Sequence, residues 1–203
     1  MEAPFLSLLT FKTITNSIWT LSWISIVVLT IKHNKIYFPP LANSFALGWE
    51  VASLTQFNVL PDTFLFKLNY VCWPILSLIA GIYYLRLTRD LKNKVRFIVY
   101  CFSSFLLNIY IMKVFDNDGT FLFSGTLLTF IISLSFHFYY RDKHQPMMIG
   151  IPRSTTALLQ SIVVIPMIEF IIILIPIHLL RIGIILIEGN YLYKTFKIKS
   201  KLT

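Results

Sequence analysis

The sequence predicts an all-α polytopic membrane protein: a bundle of seven transmembrane helices built as a single domain over residues 1–203. Three observations carry that expectation. The chain is 56% hydrophobic and only 13% charged, about half the roughly 25% charge of an ordinary soluble domain. Polar or proline-containing breaks divide it into apolar stretches, each near the ~20 residues that cross a bilayer. The basic residues gather in alternate breaks, as the positive-inside rule requires.

The first span is expected over 14–31, ending before the basic Lys32 and Lys35. Pro39-Pro40 opens the second, 40–60, and Pro61-Asp62 closes it. The third runs over 64–85 to the basic stretch Arg86 to Arg96, which separates it from the fourth, 95–112. Asp116-Asn117-Asp118-Gly119 reads as a turn into the fifth, 120–139, rather than as a pair of metal ligands. The longest polar stretch, Arg141 to Arg153, precedes the sixth, 154–174, and the seventh covers 176–194. A single helix through 154–194 would be about 60 Å long at 1.5 Å per residue, twice the hydrocarbon thickness. The chain is therefore expected to break near Leu174-Ile175-Pro176.

Seven spans put Lys32, Lys35, the Arg86–Arg96 loop, Arg141, Lys143, Arg153 and the tail lysines on one side. Lys12, Lys67 and Lys113 fall on the other. The expected orientation is N-terminus outside and C-terminus cytoplasmic. A formal charge of +9 is accounted for by these loops, so no nucleic-acid partner is expected. Met1 to Ser7 lacks the basic start of a signal peptide. Cys72 and Cys101 lie in apolar runs and read as packing residues.

Against this background Glu50 stands out. A carboxyl near the bilayer centre costs roughly 2.5–3.5 kcal/mol on insertion scales, so it ordinarily faces a bundle interior and has a task. Asn43 lies seven residues before it, two turns away on one helical face. Gly48 permits a close neighbour, and Trp49 sits beside the acid. Burial there disfavours the charged form, so Glu50 is expected as a neutral carboxylic acid, a proton donor. The bland alternative is a structural hydrogen bond to another helix. In the last span Glu188 shares a face with Tyr191, and Arg181 and His178 continue that stripe. An interfacial acid near Lys194 is the competing reading of Glu188. Glu169 is expected to pair with Arg181 across two helices. Most of the tyrosines and tryptophans suit interfacial belts, and among them Trp73 is a candidate substrate contact. His137 and His144 are not spaced for zinc. No phosphate loop, nucleophile elbow or His-Glu-x-x-His helix is present in the sequence.

Asn43-Ser-Phe-Ala-Leu-Gly-Trp49-Glu50 resembles the Asn…Ala-Trp-Glu element in the second span of small membrane terpene cyclases. These are the PaxB-like enzymes of fungal indole-diterpene and meroterpenoid pathways, with bacterial relatives. Glu188 with Tyr191 resembles the family's Asp-x-x-Tyr in the last helix, with Glu in place of Asp. Arg153-Ser154-Thr155-Thr156 is similar to its entry to the sixth helix, without the glycine common there. The resemblance implies seven helices and cyclisation without a metal or cofactor. A carboxylic acid protonates a terminal epoxide or alkene of a polyprenyl chain, and rings form until a proton is lost. It implies Glu50 as general acid, Glu188 as a tuning, relaying or proton-accepting group, and Asn43 and Trp49 as residues that position the acid or the substrate; Tyr191 and Trp73 are further candidate substrate-binding residues. The implied partners are a hydrophobic polyprenyl or meroterpenoid substrate and membrane lipid. Intramembrane acids also suit a proton-coupled transporter. Pro166-Met-Ile-Glu169-Phe170 resembles an element of membrane carotenoid cyclases, and a non-catalytic accessory or immunity protein is the remaining alternative. Glu50 and Glu188 are expected to border one lipid-accessible cavity.

Overall fold

The computed structural model describes residues 2–56, 63–116, 122–141, 145–163 and 175–199. These form seven helices: α1 (Glu2–His33), α2 (Pro40–Leu54), α3 (Phe64–Leu87), α4 (Leu91–Phe115), α5 (Leu122–Tyr139), α6 (Met147–Val163) and α7 (Ile175–Lys199). No strand occurs among the described residues, so the fold is all-α.

Local chemistry sets the helix ends. Asn34 takes φ 49° after α1, and the N–H groups of Asn34 and Lys35 donate back to the carbonyls of Ile31 and Thr30. That left-handed cap satisfies carbonyls the last turn would leave bare. Pro40 occupies the first position of α2, where its missing N–H has no intrahelical partner to lose. The Asp90 carboxylate caps α4 by accepting from the Lys92 N–H at 2.9 Å. Asp116, fully buried, accepts from the N–H groups of Phe123 and Ser124 at 2.8 and 2.7 Å. It thereby caps the start of α5; Asn117, Asp118 and Gly119, the rest of the expected turn, lie outside the described residues.

Three described boundaries differ most from the sequence-based spans. α1 extends back to Glu2. α2 ends at Leu54 rather than 60, where the Thr55 hydroxyl and N–H both return to the Ala52 carbonyl and tighten the last turn. α6 starts at Met147 rather than 154, with the Pro146 carbonyl accepting from Ile149 and Gly150. Pro152 and Arg153 are consequently helical. Their polar look in sequence reflects a helix start, not a loop. α7 is described from Ile175; residues 164–174, on which the expected break falls, lie outside the described residues, and Pro166 and Glu169 with them.

α2 is the hub, packed against α3, α4 and α5, while α1 bridges α3 and α6, and α7 rests on α5 and α6. Polar side chains tie these pairs. Asn43 donates to the Ser77 carbonyl between α2 and α3 at 3.2 Å. The Ser104 hydroxyl donates to the Phe45 carbonyl between α4 and α2 at 3.0 Å. On α1, Thr20 donates to Asn69 at 2.7 Å and accepts from the Trp73 indole at 2.7 Å. Gln160 of α6 donates to Thr15 and Asn16 of α1. Gly48 sits where α4 comes close: a Cβ there would stand 2.6 Å from Ser104 Cβ and 2.7 Å from the Phe105 nitrogen.

Large apolar side chains face outward in helical stripes. On α3 these are Phe64, Leu68, Val71, Ile75, Leu78 and Ile82, spaced three and four apart along one face. α1 exposes Ile14, Leu21, Ile24, Val28 and Ile31 in the same way. Three helical segments are long and apolar enough to cross a membrane: Thr10–His33, Phe64–Leu87 and Leu91–Phe115.

Candidate functional site

One end of the bundle carries the starts of α1, α3, α5 and α7 and the ends of α2 and α6. All six contribute to a cavity of about 120 Å³. Its aromatic wall is Trp49 of α2 with Phe66, Tyr70 and Trp73 of α3. The Trp49 ring lies 5.9 Å from Tyr70 and 6.2 Å from Trp73, centroid to centroid, and Tyr70 and Trp73 are 4.9 Å apart. Hydrogen bonding of Trp73 to Thr20 locks its ring plane. Gly125 of α5 opens the floor, with Trp49 as the nearest group at 3.9 Å from the position a Cβ would take.

Glu50 lines this cavity and is 2% exposed. Its Oε2 has no hydrogen-bond partner among the described residues. Ser77 of α3 is a polar neighbour of the carboxyl, and its hydroxyl likewise has no hydrogen-bond partner at ordinary distance among the described residues. A buried carboxyl with idle hydrogen-bonding capacity is expensive, which argues against a purely structural clasp and for a group kept to meet something in the cavity. The lining is completed by Phe11, Lys12, Asn16 and Trp19 of α1, Gln160 and Ser161 of α6, and Arg181 of α7. Arg181 is 2% exposed and its Nη1 has no partner among the described residues.

A second pocket, of about 300 Å³, lies at the opposite end, between the end of α5, the start of α6 and the end of α7. Glu188 is fully buried there. Arg153 grips it with both terminal nitrogens, Nη1 to Oε1 and Nη2 to Oε2, the latter at 2.8 Å, and the Ser154 hydroxyl donates to Oε2 at 2.6 Å. The Arg153 guanidinium packs over Phe136 at 4.6 Å and near Tyr191 at 5.8 Å from the ring centroids. Gly150 makes room for Tyr191, whose hydroxyl occupies the space a Cβ would need.

The structure thus overturns the expectation of one shared cavity. Glu50, Trp49 and Trp73 come together; Glu188 and Tyr191 form a separate group. Asn43 lines neither pocket and holds α2 to α3. The reason lies in α7: Arg181 and Glu188 share its inner face but stand seven residues apart, about 10.5 Å along the axis. Arg181, not Glu188, is therefore level with Glu50. Glu169, the expected partner of Arg181, lies outside the described residues.

Two features escaped sequence reasoning. The Arg153–Glu188 pair was legible in principle, because antiparallel neighbours set the start of α6 beside the end of α7. Asn16, Trp19 and Gln160 carried no such signal. Among the described residues no cluster of three or more His, Cys, Asp or Glu is placed to hold a metal ion. Compared with protein-family models, with curated proteins and with solved structures, the chain matches none.

Proposed function

We propose that the protein is a polytopic membrane terpene cyclase, a seven-span bundle with the N-terminus outside and the C-terminus cytoplasmic, in which Glu50 initiates cyclisation of a polyprenyl chain. The observation that carries the reading is a buried, incompletely bonded carboxyl against a wall of four aromatic rings. The apolar exterior and the buried polar clasps support a lipid setting, since packing and hydrogen bonds, not water exclusion, join helices there.

In this reading Glu50 is the neutral acid at rest. Its proton passes to the oxygen of a terminal epoxide, and the C–O bond breaks toward the more substituted carbon. The nearest double bond supplies the electron pair for the new C–C bond, and the cation moves along the chain. Loss of a proton from the last cation leaves an alkene and returns a proton for Glu50. No metal or cofactor enters this scheme. The electron-rich faces of Trp49, Phe66, Tyr70 and Trp73 lower the energy of the passing cation. Exclusion of water prevents its capture as an alcohol. Glu188, held by Arg153, is assigned to anchoring α6 on α7 and not to proton relay.

Expression of the protein with polyprenyl epoxides, followed by mass spectrometry of the lipid extract, tests the reading. A cyclised isomer of unchanged mass is expected with the wild type and not with Glu50→Gln. A proton-coupled transporter is the second reading, favoured by the two pockets lying at opposite ends of one bundle. Proton flux in proteoliposomes without product formation would select it.

A further inference from the structure

The walls of the Glu50 cavity differ in kind. α2 and α3 bring aromatic rings, α6 and α7 bring Gln160 and Arg181, and α1 brings both kinds, Lys12 and Asn16 with Phe11 and Trp19. Arg181 is the informative member. It is a buried guanidinium with an unpartnered Nη1, and no carboxylate lies within ion-pair distance of it among the described residues. A buried cation without a counter-charge costs several kcal/mol, and a guanidinium is built to receive planar oxygen acceptors two at a time. Glu50 does not supply that counter-charge at rest if it is the neutral donor.

We propose that Arg181 is the head-group site of this cavity, and that its ligand is an amphiphile with an unsaturated apolar chain and an acidic oxygen head of the carboxylate class. The head sits against the polar side chains of α1, α6 and α7. The chain runs to the aromatic wall, where Glu50 stands at the reacting end. This separation keeps the fixed positive charge at the head and the moving positive charge among the rings, so the two do not meet. The assignment of the reacting end rests on the cyclase reading; recognition of the head by Arg181 does not.

Binding is read directly from the protein, because three of its four tryptophans, Trp19, Trp49 and Trp73, line the cavity. Farnesoic acid and farnesol are titrated into the full-length protein in phosphatidylcholine nanodiscs, which offer no competing anionic lipid, and tryptophan fluorescence is followed. The wild type is expected to bind the acid at least about tenfold more tightly than the alcohol, the value of one charge-assisted hydrogen bond. Arg181→Gln is expected to abolish that preference by weakening the acid and leaving the alcohol within about twofold. Arg181→Lys is expected to keep part of it. Equal affinities in the wild type would overturn the proposal without recourse to any variant, and would be the result if Glu169 neutralised Arg181. A preference that survives Arg181→Gln would overturn it too. An acid preference with no cyclised product would sink the cyclase reading and leave this site standing. Cyclisation without head preference would do the reverse.

Discussion

Glu50 and Glu188 are both buried carboxyls, yet their surroundings assign them opposite chemistry. Glu188 accepts from Arg153 on both oxygens and from Ser154, so neither oxygen is idle. Glu50 has an idle oxygen beside an aromatic cavity. Glu50→Gln keeps the shape and removes the acid. Cyclisation is expected to fall by about 10²–10⁴-fold or more with expression and thermal unfolding near wild type. A well-folded variant that cyclises at the wild-type rate would end the mechanism. Arg153→Gln leaves Glu188 buried and unpaired, and is expected to cost about 3–5 kcal/mol, whereas Arg153→Met combined with Glu188→Leu should regain most of that. Unfolding in detergent measures both. Equal losses in the single and double variants would mean that the pair is not the source of the stability.

Helix α2 positions the acid, and its contacts explain how. Gly48, two residues before Glu50, lets α4 press against one face, while Asn43 pins the helix to α3. Gly48→Ala would drive a methyl group into the backbone nitrogen of Phe105. It is expected to destabilise by about 1–3 kcal/mol and to lower activity by shifting Glu50. Gly189, on α7, offers a contrast, because nothing lies within 4 Å of its Cβ position. Gly189→Ala should stabilise by up to about 1 kcal/mol through helix propensity alone. If thermal unfolding ranked the two substitutions the other way, the packing account of α2 would fail. Asp116 illustrates a cap that doubles as a core residue. Asp116→Ala strands the amides of Phe123 and Ser124 and is expected to cost about 1–2 kcal/mol.

At the scale of the whole molecule, the bundle is polar at its seams and apolar on its outer faces. The two pockets at its opposite ends follow from up-and-down connectivity: starts of odd-numbered helices meet ends of even-numbered ones. The Glu50 cavity falls at the end away from the basic loops, and the Arg153–Glu188 group falls at the basic end. A fluorescent reporter fused after Thr203 is expected to be active in the cytoplasm, and a secreted phosphatase fused there to be inactive. The opposite pattern would invert the bundle and place the Glu50 cavity toward the cytoplasm.

Helix number among the described residues and the capping role of Asp116 were legible in the sequence, because each rests on local chemistry: apolar length and caps. The burial of Glu50 was legible for a similar reason, since a lone acid in an apolar run is costly unless it faces the bundle interior. Which groups meet was not legible. A stripe on one helix names the face but not the level of its partners, so Glu188 was expected beside Glu50 until the neighbouring helices placed Arg181 in the Glu50 cavity and Arg153 beside Glu188. Those juxtapositions depend on how far each helix extends past its neighbour. α6 beginning at Met147 instead of 154 turned Arg153 from a loop charge into the counter-ion of Glu188. The tertiary structure alone decided this, because antiparallel packing converts sequence distance into height along the bundle, and each seven-residue offset moves a side chain by about 10.5 Å.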